Sequence, residues 1–67
     1  MKRKFAYVFP MLMPDGSCRL EWSSETFESL LNRLSGADKD LAADFIEANV
    51  VGSFIRLESG DMAFQIS

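Results

Sequence analysis

The spacing of apolar and polar positions changes period twice along this chain. "FAYVFPML" (Phe5–Leu12) and "SCRLEW" (Ser17–Trp22) flank "PDG". The second run alternates, apolar at Cys18, Leu20 and Trp22 and polar at Arg19 and Glu21, as a strand with two different faces does. Pro14 presets φ for the first turn position, Asp15 suits the second, and Gly16 can take the left-handed conformation that follows, so the two runs predict a hairpin with a three-residue loop. Pairing Met13 with Ser17 sets Leu12 beside Cys18, Pro10 beside Leu20, Val8 beside Trp22 and Ala6 beside Ser24. That register collects apolar side chains on one face.

The period then lengthens. In "SSETFESLLNRLSG", Phe27, Leu30, Leu31 and Leu34 recur at i, i+3, i+4 and i+7, with Ser24 as the expected N-cap, Glu25 favouring the helix start and Gly36 placed to end it. "DKDLAADFIEAN" predicts a second helix with Leu41, Ala42, Phe45 and Ile46 on one side, Asp38 as its cap and Asn49 near its stop. Alternation returns in "SFIRLE" and "DMAFQI" around Ser59-Gly60. A two-residue loop there puts Leu57 opposite Met62, Ile55 opposite Phe64 and Ser53 opposite Ile66, with Phe54, Arg56, Ala63 and Gln65 on the other face.

The order ββααββ predicts an α+β fold over residues 1–67 as a single small domain, a two-layer arrangement of a four-stranded antiparallel sheet with a helical hairpin on one face. The first strand is apolar on both sides, which two short helices cannot cover. With Val8, Leu20 and Trp22 turned toward the helices, Phe5, Tyr7, Phe9 and Met11 line the opposite side and become the candidate contact surface, for a partner or for a second copy. Closure of that side by the chain's own loops is the plainer alternative. The swapped orientation, aromatic side inward and Trp22 outward, leaves an apolar face over as well.

Composition adds constraints. Lys2, Arg3 and Lys4 precede nine uncharged residues, which resembles the start of a secretion signal, but Pro10 interrupts the apolar stretch and Pro14, Asp15, Gly16 and Ser17 do not make a cleavage site; a first strand is expected instead. A domain of 67 residues has a small core, which favours oligomerisation, and a homodimer is expected. The single Cys18 cannot form an internal disulfide and makes the cytoplasm the expected compartment; facing the apolar side, it is expected to be a buried structural thiol. No apolar run approaches the roughly eighteen residues of a membrane-spanning helix. The net charge is −3, but from Phe5 onward four basic side chains stand against ten acidic ones, a body charge of −6 that disfavours a broad phosphate-binding surface. Residues 2–4 read as a solvated basic tail.

Asp40, Asp44 and Glu47 fall at i, i+4 and i+7 on one side of the second helix, either a solvated face or an acidic strip for a basic partner surface. Metal chemistry is poorly served. "DKDLAAD" places carboxylates at positions 1, 3 and 7 of a calcium-type loop, yet Ala43 and Asn49 stand where its glycine and bidentate glutamate belong, and no histidine accompanies the one cysteine. Without an imidazole there is no hydrolytic triad or Cys-His pair, and no glycine-rich phosphate loop follows a strand. No cofactor, no metal and no catalysis are expected. The expectation is a small non-catalytic protein-interaction module, a regulator or inhibitor of the bacterial or phage-encoded kind that docks on a larger protein. The alternative from another class is a single-stranded nucleic-acid-binding protein that stacks bases on Phe5, Tyr7 and Phe9 and reaches phosphates with the basic tail and Arg19.

Overall fold

The computed structural model describes residues 3–67; Met1 and Lys2 lie outside the described residues, so of the basic tail only Arg3 and Lys4 are placed. The elements are β1 (Phe5–Leu12), β2 (Cys18–Glu25), α1 (Phe27–Arg33), α2 (Gly36–Ala48), β3 (Phe54–Arg56) and β4 (Met62–Gln65), the predicted ββααββ order. They form one antiparallel sheet in the order β2-β1-β4-β3 with both helices packed against it. The opening apolar segment is thus a central strand, hydrogen-bonded on both sides.

The first hairpin keeps the register read from its turn: Leu12 pairs with Cys18, Pro10 with Leu20, Val8 with Trp22 and Ala6 with Ser24. Gly16 takes φ +88°, its N–H donates to the Met13 carbonyl, and the Met13 N–H donates to Ser17 at 2.7 Å. A three-residue loop ending in a left-handed glycine produces this bonding. The carboxylate of Asp15 accepts from the Ser17 N–H at 2.9 Å and holds the loop from within.

The second hairpin uses the same loop, and this corrects the expected register. The Leu57 N–H donates to Asp61 at 2.8 Å and the Gly60 N–H to Leu57 at 3.0 Å, so the loop is Glu58-Ser59-Gly60 rather than Ser59-Gly60 alone. One added loop residue slides the pairing by one: Ile55 lies opposite Ala63, Phe54 opposite Phe64 and Arg56 opposite Met62. Because side chains alternate, the slip exchanges the faces of β4. Ala63 and Gln65 enter the core with Leu57, while Phe64 and Ile66 turn outward.

Helix boundaries shift for local reasons. β2 runs through Glu25, so α1 is capped by Thr26, whose Oγ1 accepts from the Ser29 N–H, and not by Ser24. Gly36 opens α2 instead of closing α1, and Asn49, at φ 53°, ends α2 as expected. Asp38 caps no helix; its carboxylate accepts from the Glu58 N–H at 2.8 Å and ties α2 to the β3–β4 loop.

The core comprises Phe5, Tyr7, Leu30, Ala42, Phe45, Ile46, Leu57 and Ala63. Phe5 meets Phe45 edge to face with ring centroids 6.0 Å apart, and Phe9, Leu31, Leu34 and Ile55 close the margin of the cluster. Of the apolar positions expected on the helices' inner sides, Leu30, Ala42, Phe45 and Ile46 are buried, whereas Phe27 and Leu41 stand partly exposed. Among the described residues no helix is long and apolar enough to cross a membrane.

Candidate functional site

The orientation of the sheet decides which surface is available. Phe5 is fully buried and Tyr7 nearly so, Phe9 packs at the core's edge, and Met11 is exposed toward the hairpin tip. The expected contact surface of Phe5, Tyr7, Phe9 and Met11 therefore faces the helices, and the sheet takes the swapped orientation. Two features on the helix side of the sheet fix it. Ala63, with no side chain beyond Cβ, is the cross-strand neighbour of Tyr7 and leaves room for the ring. From the end of α1, Arg33 lays its guanidinium over Tyr7 at 4.5 Å and over Phe9 at 5.6 Å from the ring centroids, a cation–π roof.

Arg33 is held there by the polar side of β2. It pairs with Glu25 and donates to the Ser23 hydroxyl at 3.0 Å, while Ser23 and Ser29 both donate to the Glu25 carboxylate. The Ser29 hydrogen bond above all, then Ser23 and Arg33, holds the Glu25 carboxyl below the usual carboxylate range against the opposing effect of burial. Ser23 and Glu25 of β2 thus belong to the helix side, and Cys18, Leu20, Trp22 and Ser24 are turned out.

The result is an uncovered face, composed in rows across the strands. One row runs Ser24, Ala6, Phe64, Phe54; the next runs Trp22, Val8, Met62, Arg56; beyond β4 the β1–β2 hairpin continues alone with Leu20 beside Pro10 and Cys18 beside Leu12. Trp22 is 62% exposed, Leu20 72% and Leu12 77%, and Phe54, Phe64 and Ile66 are exposed as well. The Phe54 and Phe64 rings lie 5.3 Å apart and form a single apolar ridge. Cys18, expected to be buried, is exposed because the side it shares with Leu12 is the one no helix covers. Among the described residues this face bears no carboxylate; its charges are Arg56 and, beside Ile66 at the margin, Lys4. A contiguous apolar patch of this kind marks a contact surface more often than a bare monomer surface.

Asp40, Asp44 and Glu47 are all exposed on α2, on the opposite side of the molecule from the uncovered face. Their acidic strip and the apolar face do not form one site. A third feature is a shallow cleft of about 150 Å³ lined by Arg3, Thr26, Phe27 and Glu28. Arg3 stacks at 5.7 Å from the Phe27 ring centroid and donates to the Ile46 carbonyl at 2.6 Å, so its guanidinium is already engaged in holding the terminus to α2. The cleft is smaller than the roughly 300 Å³ at which ligand pockets begin. Comparison with known protein families, curated proteins and solved structures found no match to this chain.

Proposed function

We propose that this chain is a small non-catalytic protein-interaction module that acts in the cytoplasm as a regulator or inhibitor, docking on other protein through the helix-free face of its sheet. The observation that carries the reading is the row of Trp22, Val8 and Met62, ending in Arg56, beside the Phe54–Phe64 ridge, a face with apolar side chains from all four strands that both helices leave open. Tryptophan and arginine are among the side chains that dominate protein contacts energetically, and phenylalanine is enriched in such contacts. The acidic strip of Asp40, Asp44 and Glu47 is the secondary surface in this reading and suits a basic patch on the partner.

A second reading rests on one feature of the same face. It carries three aromatic rings and two basic side chains with no carboxylate among the described residues, a combination that also stacks single-stranded nucleic acid. Aliphatic Val8, Leu12, Leu20, Met62 and Ile66 outnumber those rings and favour protein.

A photo-crosslinking residue in place of Trp22, in the native host, separates the outcomes. Adducts of discrete protein mass are expected, with none from the same residue placed at the buried position of Leu57. Adducts to nucleic acid would replace this reading with the second one, and no adduct at position 22 would overturn both.

A further inference from the structure

We infer that the outer edge of β2 pairs with the same edge of a second copy of this chain. The two strands run antiparallel about a two-fold axis that passes through Leu20 normal to the sheet, and they join the two sheets into one. This contact uses the edge of the strand and not the helix-free face, so it holds whether or not that face binds a foreign protein.

The backbone shows which edge is open. The Met13 N–H donates to the Ser17 carbonyl, so the ladder bonds of the first hairpin fall on Met13–Ser17 and every second pair after it, Met11–Arg19 and Phe9–Glu21 included. The N–H and C=O groups of Cys18, Leu20 and Trp22 therefore point out of the sheet, and none of them has a backbone partner among the described residues. The other open stretches are blunted. β3, at the far edge, is only three residues long. Where β1 runs on past Val8, the end of its pairing with β4, the outward position is Pro10, which has no N–H to offer. β2 has eight residues, no proline and no bulge in its register. A bare edge of that length is a template for one more strand.

Charge along the edge selects a copy of itself, and one register. An axis at Leu20 sets Arg19 opposite the partner's Glu21 and Glu21 opposite the partner's Arg19. Within each chain Arg19 already pairs with Glu21 at 2.5 Å, so the two strands close a square of four charges that alternate in sign. On the helix-free side Leu20 meets its own copy, and Trp22 lies beside the partner's Cys18, large against small. Neighbouring registers lose this match. An axis at Glu21 opposes two carboxylates, and one at Arg19 opposes two guanidinium groups. An axis at Trp22 leaves Glu21 opposite the partner's Ser23 and Arg19 opposite the partner's Glu25, whose carboxylate Arg33, Ser23 and Ser29 already hold. With the axis at Leu20, the Glu25 ends of the two copies, where α1 begins, fall at opposite ends of the joint beside the partner's hairpin tip. The like-signed neighbours there are Asp15 and the partner's Glu25; each is engaged within its own chain, Asp15 by Ser17. The joint carries about six main-chain hydrogen bonds, two for each pair among Cys18, Leu20 and Trp22. An edge about 20 Å long buries less than the ~1,000 Å² of a lasting interface, so the pair is weak and forms at high-micromolar protein.

The test is disulfide trapping, which captures a weak pair, in submillimolar protein with copper-phenanthroline as oxidant and non-reducing gels as readout, each variant checked for folding by circular dichroism. Trp22→Cys sets its thiol opposite the partner's Cys18, ~5.5 Å away between Cα atoms and within reach of a disulfide. It should cross-link roughly tenfold faster than the wild type or Cys18→Ser/Trp22→Cys, whose thiols the register keeps ~13 Å or more apart. Cys18→Ser/Leu20→Cys, with its thiols on the axis, should match Trp22→Cys and carries the test if Trp22→Cys fails to fold. Adding Arg19→Glu should return cross-linking to the wild-type rate, and Arg19→Glu/Glu21→Arg should recover most of the loss. Equal rates for all these chains would mean random collision and overturn the proposal. Fast cross-linking of the wild type or of Cys18→Ser/Trp22→Cys would mean another register or surface and overturn it too. Among photo-adducts from position 22, those at twice the chain's mass belong to this edge and those of other masses to a foreign protein, so the two readings fail separately.

Discussion

Replacing Tyr7 by phenylalanine removes one hydroxyl from the core and tests how the sheet is oriented. Tyr7 is 5% exposed, and its hydroxyl donates to the Asp61 carboxylate at 2.5 Å. Burial first, then the hydrogen bond and negative charge of Asp61, push its pKa up from 10.0 to about 12, with Asp38 adding to the rise and Arg33 opposing it. The folded chain therefore holds this proton more tightly than the unfolded chain. The associated stability is complete below pH 10 and is lost as the pH climbs from 10 to about 12. A rise of this size corresponds to roughly 2–3 kcal/mol. At pH 7 the Tyr7→Phe variant should lose about 1–2 kcal/mol, the worth of a hydrogen bond to a carboxylate that retains access to water. These two magnitudes make the stabilities cross near pH ~11, above which the variant is the more stable protein. Urea unfolding of both proteins at several pH values measures the crossing, and the variant cancels contributions from the other titrating groups. Tyr7 is also the chain's single tyrosine, so its phenolate absorbance reports the midpoint directly. A midpoint near 10 with a stability difference independent of pH would mean that Tyr7 faces water, and the orientation described here would be wrong.

Three further outcomes follow from the same packing. Leu30→Ala, at a fully buried position of α1, should cost about 3 kcal/mol, most of what a domain this small possesses, and leave the chain largely unfolded by circular dichroism. Glu25→Gln should remove stability that the wild type has above the ordinary carboxyl value of 4.5 and loses as acid protonates Glu25 below it, so the gap between the two proteins in urea titrations should narrow toward low pH. Gln65 is buried with its Oε1 lacking a hydrogen-bond partner among the described residues while its Nε2 donates to Asn49 at 2.6 Å. Gln65→Met should consequently be neutral or stabilising by up to about 1 kcal/mol in thermal melts, since exposed Asn49 regains water and an unpaired buried oxygen disappears.

What the sequence discloses and what it conceals divide along physical lines. Local chemistry was legible: Pro14, Asp15 and Gly16 specify a loop, the loop specifies the register of β1 with β2, and the spacing of Leu30, Ala42, Phe45 and Ile46 specifies the buried sides of the helices. The same local grammar was present but misread in the second hairpin. "LESGD" matches "MPDGS" in length and in its fourth-position glycine, and applying one loop rule to both gives the observed pairing of Ile55 with Ala63. Orientation was not legible by alternation, because β1 is apolar on both sides. It is settled by contacts distant in sequence: Arg33 roofing Tyr7 and Phe9, Glu25 and Ser23 holding Arg33, and Ala63 making room beside Tyr7. Ser23 and Glu25 of β2 are the partners of an arginine ten residues beyond Ser23, while Arg19 and Glu21, which look solvent-facing in isolation, pair with each other. That inversion moves the candidate surface from Phe5, Tyr7 and Phe9 to Trp22, Phe54 and Phe64 and exposes Cys18, while the acidic strip stays where the helical spacing put it.

Trp22 is the chain's one tryptophan and stands on the uncovered face, so its fluorescence reads that face without labelling. The most direct measurement is the emission maximum of Trp22 and its quenching by acrylamide along a dilution series from submillimolar to nanomolar protein. Trp22 on the helix-free side predicts red-shifted, freely quenched emission in dilute protein, turning blue-shifted and protected wherever a protein contact covers the face. Blue-shifted, poorly quenched emission in the dilute folded chain would contradict the claim that the helices leave this face open.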